Sequence, residues 1–180
     1  MGQRQSEKKR QDSMKVLGLD ASSVRTGCCI VEDGYLDFKS LDTIDPPPKL
    51  LMGKKLLFFE KAIKKLLKKH RPDAVVIENI FRGPNIITFK TLSMFRGVAY
   101  KCVQEVLNLE PESIMPTEAR KAVGCGPKKE DAFEWITKKY DFRDFTFNKH
   151  NDICDSIILA LSYFQPRPHP KLKKTKRKKK

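Results

Sequence analysis

The pattern of hydrophobic and polar positions divides the chain into short apolar runs, typical of buried strands, and longer stretches at helical spacing. The short runs predict five strands, at residues 15–20, 26–32, 35–41, 73–78 and 112–115. The pair Asp33-Gly34, between the second and third runs, is typical of a hairpin turn. The periodic stretches predict helices at residues 49–70, 86–107, 116–123, 128–140 and 151–164.

This order of elements predicts an α/β fold. Three antiparallel strands are followed by parallel ones, and the mixed five-stranded sheet is flanked by helices. A hairpin at the start excludes a simple alternating βα barrel. We expect one domain at residues 14–165, because neither end shows apolar periodicity. The polar arm at residues 1–13 and the Lys-rich tail at residues 166–180 are expected to be disordered.

Charge narrows the range of partners. The formal net charge is +15, and eight of the last ten residues are Lys or Arg. The body of the chain stays basic without that tail, which favours nucleic acid or an anionic membrane surface as a partner. We expect the tail to add general affinity for such an anionic partner. No apolar stretch is long enough to span a membrane, and the charged N-terminus does not resemble a signal peptide.

The cysteines favour an intracellular protein. Their number is odd, they form no CxxC pair, and each lies among apolar or small residues. Buried, reduced thiols therefore explain them better than disulfides or zinc. We expect the protein to reside in the cytoplasm, a reducing compartment.

Acidic residues stand at the ends of predicted elements. Asp20 closes the first strand and Glu78 the fourth, while Asp152 and Asp155 open the last helix. Each alone has a structural explanation: a turn residue, an ion-pair partner at a strand end, or carboxylates at a helix start. Together they predict one oxygen-rich cluster, because these strand ends and the helix start can converge only at one edge of the sheet. Such a cluster suits Mg²⁺ or Mn²⁺ rather than zinc.

Four segments, in order, resemble RuvC-type Holliday-junction resolvases. Residues 18–27 (GLDASSVRTG) look like that family's opening strand and turn, and residues 78–85 (ENIFRGPN) like its second acidic segment. Residues 116–126 (PTEARKAVGCG), with the lysines that follow, resemble its basic helix and loop. Residues 152–155 (DICD) fit its closing acidic pair. Two departures are Ala21 and Ser22 in the first loop, and a loop before the lysines that is one residue shorter.

The resemblance implies an RNase H-like fold, a homodimer, and paired nicks at four-way DNA junctions that leave 5′-phosphates. It also implies two Mg²⁺ ions per site, with Mn²⁺ able to substitute. Asp20, Glu78 and Asp155 would be the ligands, and Asp152 would complete the shell or orient water. The short chain, the diverged first loop and the Lys-rich tail suggest a phage or viral form.

The same resemblance indicates the DNA-binding residues. Phe81 would wedge or stack at the crossover, with Arg82 beside it; the alternative for Phe81 is a ring folded onto the core. The expected phosphate contacts are Arg120, Lys121, Lys128 and Lys129. Which of the last two lysines takes the family's basic role is left open, as is any part for His150 at the metal site.

Three other functions are alternatives to a junction resolvase. An RNase H-like nuclease of the YqgF type would act on RNA, but lacks the Phe81 loop and the basic loop. A branched-DNA-binding protein without activity would not need all four carboxylates. An ATPase of the actin class would need two such domains, for which 180 residues are too few.

Overall fold

A computed structural model describes residues 13–80 and 83–166 as a five-stranded mixed sheet packed between helices. The strands are β1 (Lys15–Asp20), β2 (Thr26–Glu32), β3 (Tyr35–Ile44), β4 (Ala74–Glu78) and β5 (Glu112–Ile114). The helices are α1 (Met52–His70), α2 (Ile86–Leu107), α3 (Pro116–Val123), α4 (Lys129–Tyr140) and α5 (Phe147–Tyr163).

The strand order across the sheet is β3-β2-β1-β4-β5. The β1–β2 and β2–β3 pairs are antiparallel, whereas β1–β4 and β4–β5 are parallel. The predicted mixed sheet is therefore confirmed. Because β1 and β4 run side by side in the same direction, with Leu19 opposite Ile77, their last residues lie at one edge of the sheet. This register brings Asp20 and Glu78 together.

Side chains alternate along the central strands and build a core on each face. Leu17, Leu19 and Ile77 pack with α1 and α2 on one face, where Phe59 and Phe95 meet edge to face. The other face packs against α3, α4 and α5. Both faces are buried, which explains why β1 and β4 read as nearly continuous apolar runs.

Two glycines let α5 approach the sheet closely. A Cβ atom built at Gly18 would collide with the carbonyl oxygen of Ser156, and one at Gly27 with the carbonyl of Asp152. Both obstacles are backbone atoms of the helix, which cannot rotate away. Gly18 and Gly27 therefore set the distance between β1, β2 and the helix that carries the acidic pair.

The structure corrects the predicted start of the last helix. α5 begins at Phe147, not near residue 151, so Asp152 and Asp155 lie inside the helix rather than at its first turn. Their interpretation as helix-start carboxylates is therefore wrong. The extra turn forms because Phe147 packs edge to face on Phe133, and His150 accepts a hydrogen bond from the backbone N–H of Thr146. These contacts stabilise the helical conformation of the polar residues before Asp152.

The other boundaries differ by a few residues. β3 continues to Ile44, three residues beyond its predicted end, because its ladder with β2 resumes after a register shift at Cys28/Ile30. The Ser40 hydroxyl accepts a hydrogen bond from the Ile30 backbone N–H at that shift. α1 begins at Met52, three residues later than predicted. None of these differences moves a candidate site residue.

The thiols agree with the sequence-based expectation. All five cysteines are free, and four are buried. Burial raises the pKa of the Cys29 and Cys154 thiols to about 12, so both stay protonated at neutral pH. No helix in the described ranges is long and apolar enough to cross a membrane. Residues 1–12 of the N-terminal arm and residues 167–180 of the tail lie outside the described residues, so their expected disorder stays a prediction.

Candidate active site

Four carboxylates line one cleft at the edge of the sheet. Asp20 ends β1, Glu78 ends β4, and Asp152 and Asp155 project from α5. The cleft has a volume of about 250 Å³. Its other lining residues are Ala21, Ser22, Ile80, Leu92, Arg96, Arg120 and Lys129. The convergence expected from the sequence is therefore present in the structure.

Asp20 and Glu78 form an acidic pair in which Asp20 is buried and Glu78 is half-buried. Asp20 is only 9% exposed, and its carboxyl group lies close to that of Glu78. Burial, and then repulsion by Glu78 and Asp155, raises the pKa of Asp20 well above its usual value. The pKa of Glu78 is raised as well, mainly by burial. When both groups are ionised, their negative charges repel each other, and a nearby positive charge would stabilise them.

Asp155 is held by two cations. Its Oδ1 atom lies 3.1 Å from Nη2 of Arg120, and its Oδ2 atom lies 3.0 Å from Nζ of Lys129. Lys129 also lies 3.4 Å from Oδ1 of Asp152. Arg120 is anchored further by a hydrogen bond to the carbonyl of Pro127. The guanidinium group faces Asp155 inside the cleft, so its expected phosphate contact stays a prediction.

The structure distinguishes the two neighbouring lysines. Lys128 is exposed and precedes α4, whereas Lys129 is the first residue of α4 and reaches into the cleft. Burial lowers the pKa of Lys129, but the carboxylates of Asp155, Asp20 and Asp152 outweigh burial and raise it to about 12. Lys129 is therefore cationic at neutral pH and is the lysine placed to act at the site. Lys121 is exposed on α3.

A divalent metal ion fits the donor set of this cleft. Within residues 13–80 and 83–166, no group of three Asp, Glu, His or Cys side chains is already arranged to bind a metal ion. Lys129 and Arg120 are in contact with the α5 carboxylates instead. Asp20 and Glu78, however, are oxygen donors whose ionised forms are disfavoured by burial, so a further positive charge would stabilise them. Hard cations such as Mg²⁺ supply that charge to carboxylate oxygens.

Sequence reasoning did not identify Arg96 as a site residue. It borders the cleft from α2. His150 lies in the first turn of α5, and its ring stacks on Phe145 with the ring centroids 4.3 Å apart. It is not among the residues that line the cleft. Phe81 and Arg82 lie outside the described residues, so their expected roles stay predictions.

Without a bound metal ion, the Asp20–Glu78 pair should lower the free energy of unfolding at neutral pH. Its folded-state pKa values lie above the unfolded ones, so the unfolded chain ionises first as the pH rises and folding is disfavoured. We expect Asp20→Asn to raise the melting temperature at pH 7 without metal by a few degrees, since about 1 kcal/mol corresponds to roughly 2–4 °C. The amide can still donate a hydrogen bond to Glu78.

Differential scanning calorimetry between pH 3 and pH 8 checks this prediction. The difference from wild type should shrink as the pH falls through about 4 and vanish near about pH 3, where both states are largely protonated. Added Mg²⁺ should stabilise the wild type more than Asp20→Asn. Asp144→Asn, an exposed substitution of the same chemistry, is the matched control and should change little. A lower melting temperature for Asp20→Asn at pH 7 without metal would contradict the charge argument.

Comparison with known proteins identifies the family. The family model "Crossover junction endodeoxyribonuclease RuvC" matches residues 16–163. Proteins of that name from Dictyoglomus thermophilum and Aliarcobacter butzleri are 27% and 30% identical to this chain, over 154 and 156 residues. These alignments cover 83% and 84% of this chain, and 96% and 99% of the relatives.

Solved structures share the fold. The structure described as T. thermophilus RuvC in complex with a Holliday junction substrate matches with a TM-score of 0.69 at 15% identity, covering 83% of this chain and 91% of that one. The yeast mitochondrial Holliday junction resolvase Ydc2 matches with a TM-score of 0.58 at 14% identity, covering 84% and 78%. The RNase H-like fold and the RuvC-type resemblance predicted from the sequence are thereby confirmed.

Proposed function

Because the chain belongs to the RuvC family, we propose that it is a crossover junction endodeoxyribonuclease that resolves four-way DNA junctions by paired nicks. The observation that carries this proposal is the convergence of Asp20, Glu78, Asp152 and Asp155 in one cleft beside Lys129. RuvC works as a dimer on branched DNA, and two copies of this chain would supply one such cleft for each of two strands. We propose that the protein acts in the cytoplasm of a bacterial or phage-infected cell.

The RuvC family comprises metal-dependent nucleases. In this chain we assign Asp20, Glu78 and Asp155 as ligands of two Mg²⁺ ions, with Asp152 completing the shell or orienting water. Such ions activate the attacking water and stabilise the leaving oxygen of the phosphodiester. The donor set supports this assignment, because the pKa values of Asp20 and Glu78 stay raised even with Lys129 nearby, and a metal ion would add positive charge that stabilises their ionised forms.

Lys129 has two roles in this proposal. Before DNA binds, its ammonium group neutralises Asp155 and Asp152 at 3.0 and 3.4 Å. When Asp155 is a metal ligand, Lys129 is free to contact the phosphate to be cut. Arg120 keeps its hydrogen bond to Pro127 and holds α3 against the cleft. Lys121 and Lys128, both exposed, add phosphate contacts that carry no sequence information.

Cleavage of a panel of DNA substrates tests the proposal. With Mg²⁺ or Mn²⁺, the protein should nick a synthetic four-way junction at symmetric positions in opposing strands, leaving 5′-phosphates. Linear duplex of the same sequence should be cut at least about a hundredfold more slowly, and an RNA hairpin should not be cut. Equal cutting of junction and duplex would contradict junction specificity. Cutting of RNA alone would favour the YqgF-type function.

A further inference from the structure

One face of α1 carries a row of lysines far from the carboxylates. We call the row the lysine stripe, and its members are the exposed residues Lys54, Lys61, Lys65 and Lys68. Their spacing in the chain places their side chains on one face of a helix. The buried residues of α1 lie on the opposite face. The lysine stripe therefore points away from the sheet, toward solvent.

The acidic residues near the lysine stripe are already paired with other cations. Glu60 is the only acidic residue of α1, and its Oε1 atom lies 2.6 Å from Nζ of Lys64 and 2.7 Å from Nζ of Lys101. Glu105 on α2 contacts the same two lysines. Within the described residues, the stripe itself takes part in no ion pair. Lysines one turn apart repel each other, and an anionic partner would offset that repulsion.

An open groove runs along the lysine stripe. Its volume is about 540 Å³, and it is lined by Leu57, Glu60, Lys61, Lys64, Lys65 and Lys68. Leu57 is the only apolar residue of this lining, so a partner that binds through an apolar surface would bury little there. Lysine ammonium groups suit the phosphate oxygens of nucleic acid.

The lysine stripe leads away from the active site. β3 ends at the active-site edge of the sheet, because its last residue, Ile44, pairs with the start of β2, which lies beside the end of β1. α1 follows β3 and runs to the opposite edge, where the backbone N–H of Asp73 donates to the carbonyl of Lys15 at 2.8 Å. From Lys54 to Lys68 the stripe is about 21 Å long, at 1.5 Å per residue. It lies on the other face of the sheet from α3, α4 and α5.

We propose that the lysine stripe binds the phosphate backbone of a duplex arm of the junction, away from the phosphate that is cut. This inference rests on the proposed function and deepens it by adding a second DNA-binding surface. Each strand of B-DNA carries one phosphate per about 3.4 Å of helix axis, so the stripe runs alongside roughly six phosphates. Phosphate contacts carry no sequence information, so the stripe adds affinity and does not select the cut site.

A second copy of this chain does not fit the lysine stripe. In a two-fold interface the same patch faces itself, so lysines would face lysines without acidic partners. An acidic protein would suit the charges, but DNA is favoured because the whole chain carries a net charge of +15 and the stripe starts at the edge that holds the cleft.

Lys61→Gln/Lys68→Gln tests the lysine stripe, because glutamine removes each charge and keeps a high helix propensity. The slope of log affinity against log salt for a four-way junction should be less steep than in the wild type by about 1.8, or about 0.9 for each lysine. Between about 50 and 200 mM salt, the wild type should therefore lose roughly tenfold more affinity than the variant. Fluorescence anisotropy without divalent metal measures binding separately from cutting.

Two further variants separate a local contact from a general loss of charge. Lys138→Gln/Lys139→Gln removes the same charge from exposed positions on α4, on the other face of the sheet, and should change the slope by less than about 0.5. Lys61→Arg/Lys68→Arg keeps both charges and should bind like the wild type. Circular dichroism confirms that each variant is folded.

Hydroxyl-radical footprinting of the saturated junction locates the contact. The wild type should protect about six nucleotides within an arm that Lys61→Gln/Lys68→Gln leaves exposed. An unchanged salt slope, or an equal loss in the α4 variant, would overturn the inference while the proposed function stands, and the first result would favour an acidic protein as the partner. A wild type that neither binds nor cuts junctions would overturn the proposed function itself.

Discussion

Asp155→Asn should lower the rate of junction cleavage at least about a thousandfold, a loss of roughly 4 kcal/mol of transition-state stabilisation. The carboxylate is 6% exposed and faces the cleft from α5, where the amide of the variant is a poor partner for a metal ion. DNA binding should persist, because the variant removes a negative charge from the cleft and leaves Lys129 and Arg120 cationic. Single-turnover cleavage and electrophoretic mobility shift measure the two properties separately.

Controls separate this effect from loss of folding. Asp155 is the ion-pair partner of Arg120, so the variant leaves a buried guanidinium group with fewer partners and should melt earlier than the wild type. Glu78→Gln breaks no ion pair of that kind and should lose cleavage to a similar extent while staying folded. Asp144→Asn should cut normally. Rapid cutting by Asp155→Asn would remove that residue from the metal site.

Gly27→Ala should destabilise the fold by at least about 3 kcal/mol, at or beyond the upper end of the usual range for overpacked cores. The added methyl group would collide with the backbone of α5 at Asp152, and the helix cannot yield without leaving the sheet. A total stability of about 5–15 kcal/mol leaves little margin for such a change. Because Gly27 pairs with Asp20 in the ladder, the substitution also separates the α5 carboxylates from those of the strands.

Urea unfolding followed by circular dichroism measures this effect. Gly53→Ala is the matched control, since a Cβ at that exposed position on α1 would meet no atom within 4 Å. It should leave stability unchanged or raise it slightly, because Ala favours a helix over Gly. If Gly27→Ala were as stable as the wild type and cut junctions normally, the close approach of α5 would not be what assembles the site.

The strand-end acids could be predicted from the sequence for a clear physical reason. Asp20 and Glu78 each follow a run that is buried on both faces, and a carboxylate in that position needs a positive charge nearby. Parallel neighbours place such residues at one edge. The sheet and its helices followed from the same apolar runs. The local pattern did not predict the extra first turn of α5, because that turn depends on the tertiary contact between Phe147 and Phe133.

The cationic half of the site could not be predicted in detail. Arg120 and Lys129 stood in a motif that indicated phosphate contact, but their pairing with Asp155 depends on how α3 and α4 pack against α5. The same holds for Arg96, whose place at the cleft is set by Tyr100 on its own helix and Ser113 on β5. Residues that act through tertiary contacts leave no periodic signal in the sequence.

The most direct test of the metal centre is anomalous diffraction from crystals of the protein grown with Mn²⁺. We expect one or two anomalous peaks bound to carboxylate oxygens of Asp20, Glu78 and Asp155, at roughly the 2 Å separations that Mg²⁺-type sites show. Lys129 should then lie farther from Asp155 than the present 3.0 Å. Peaks elsewhere on the molecule, with none at Asp20 and Glu78, would contradict the assignment of these carboxylates as the catalytic metal site.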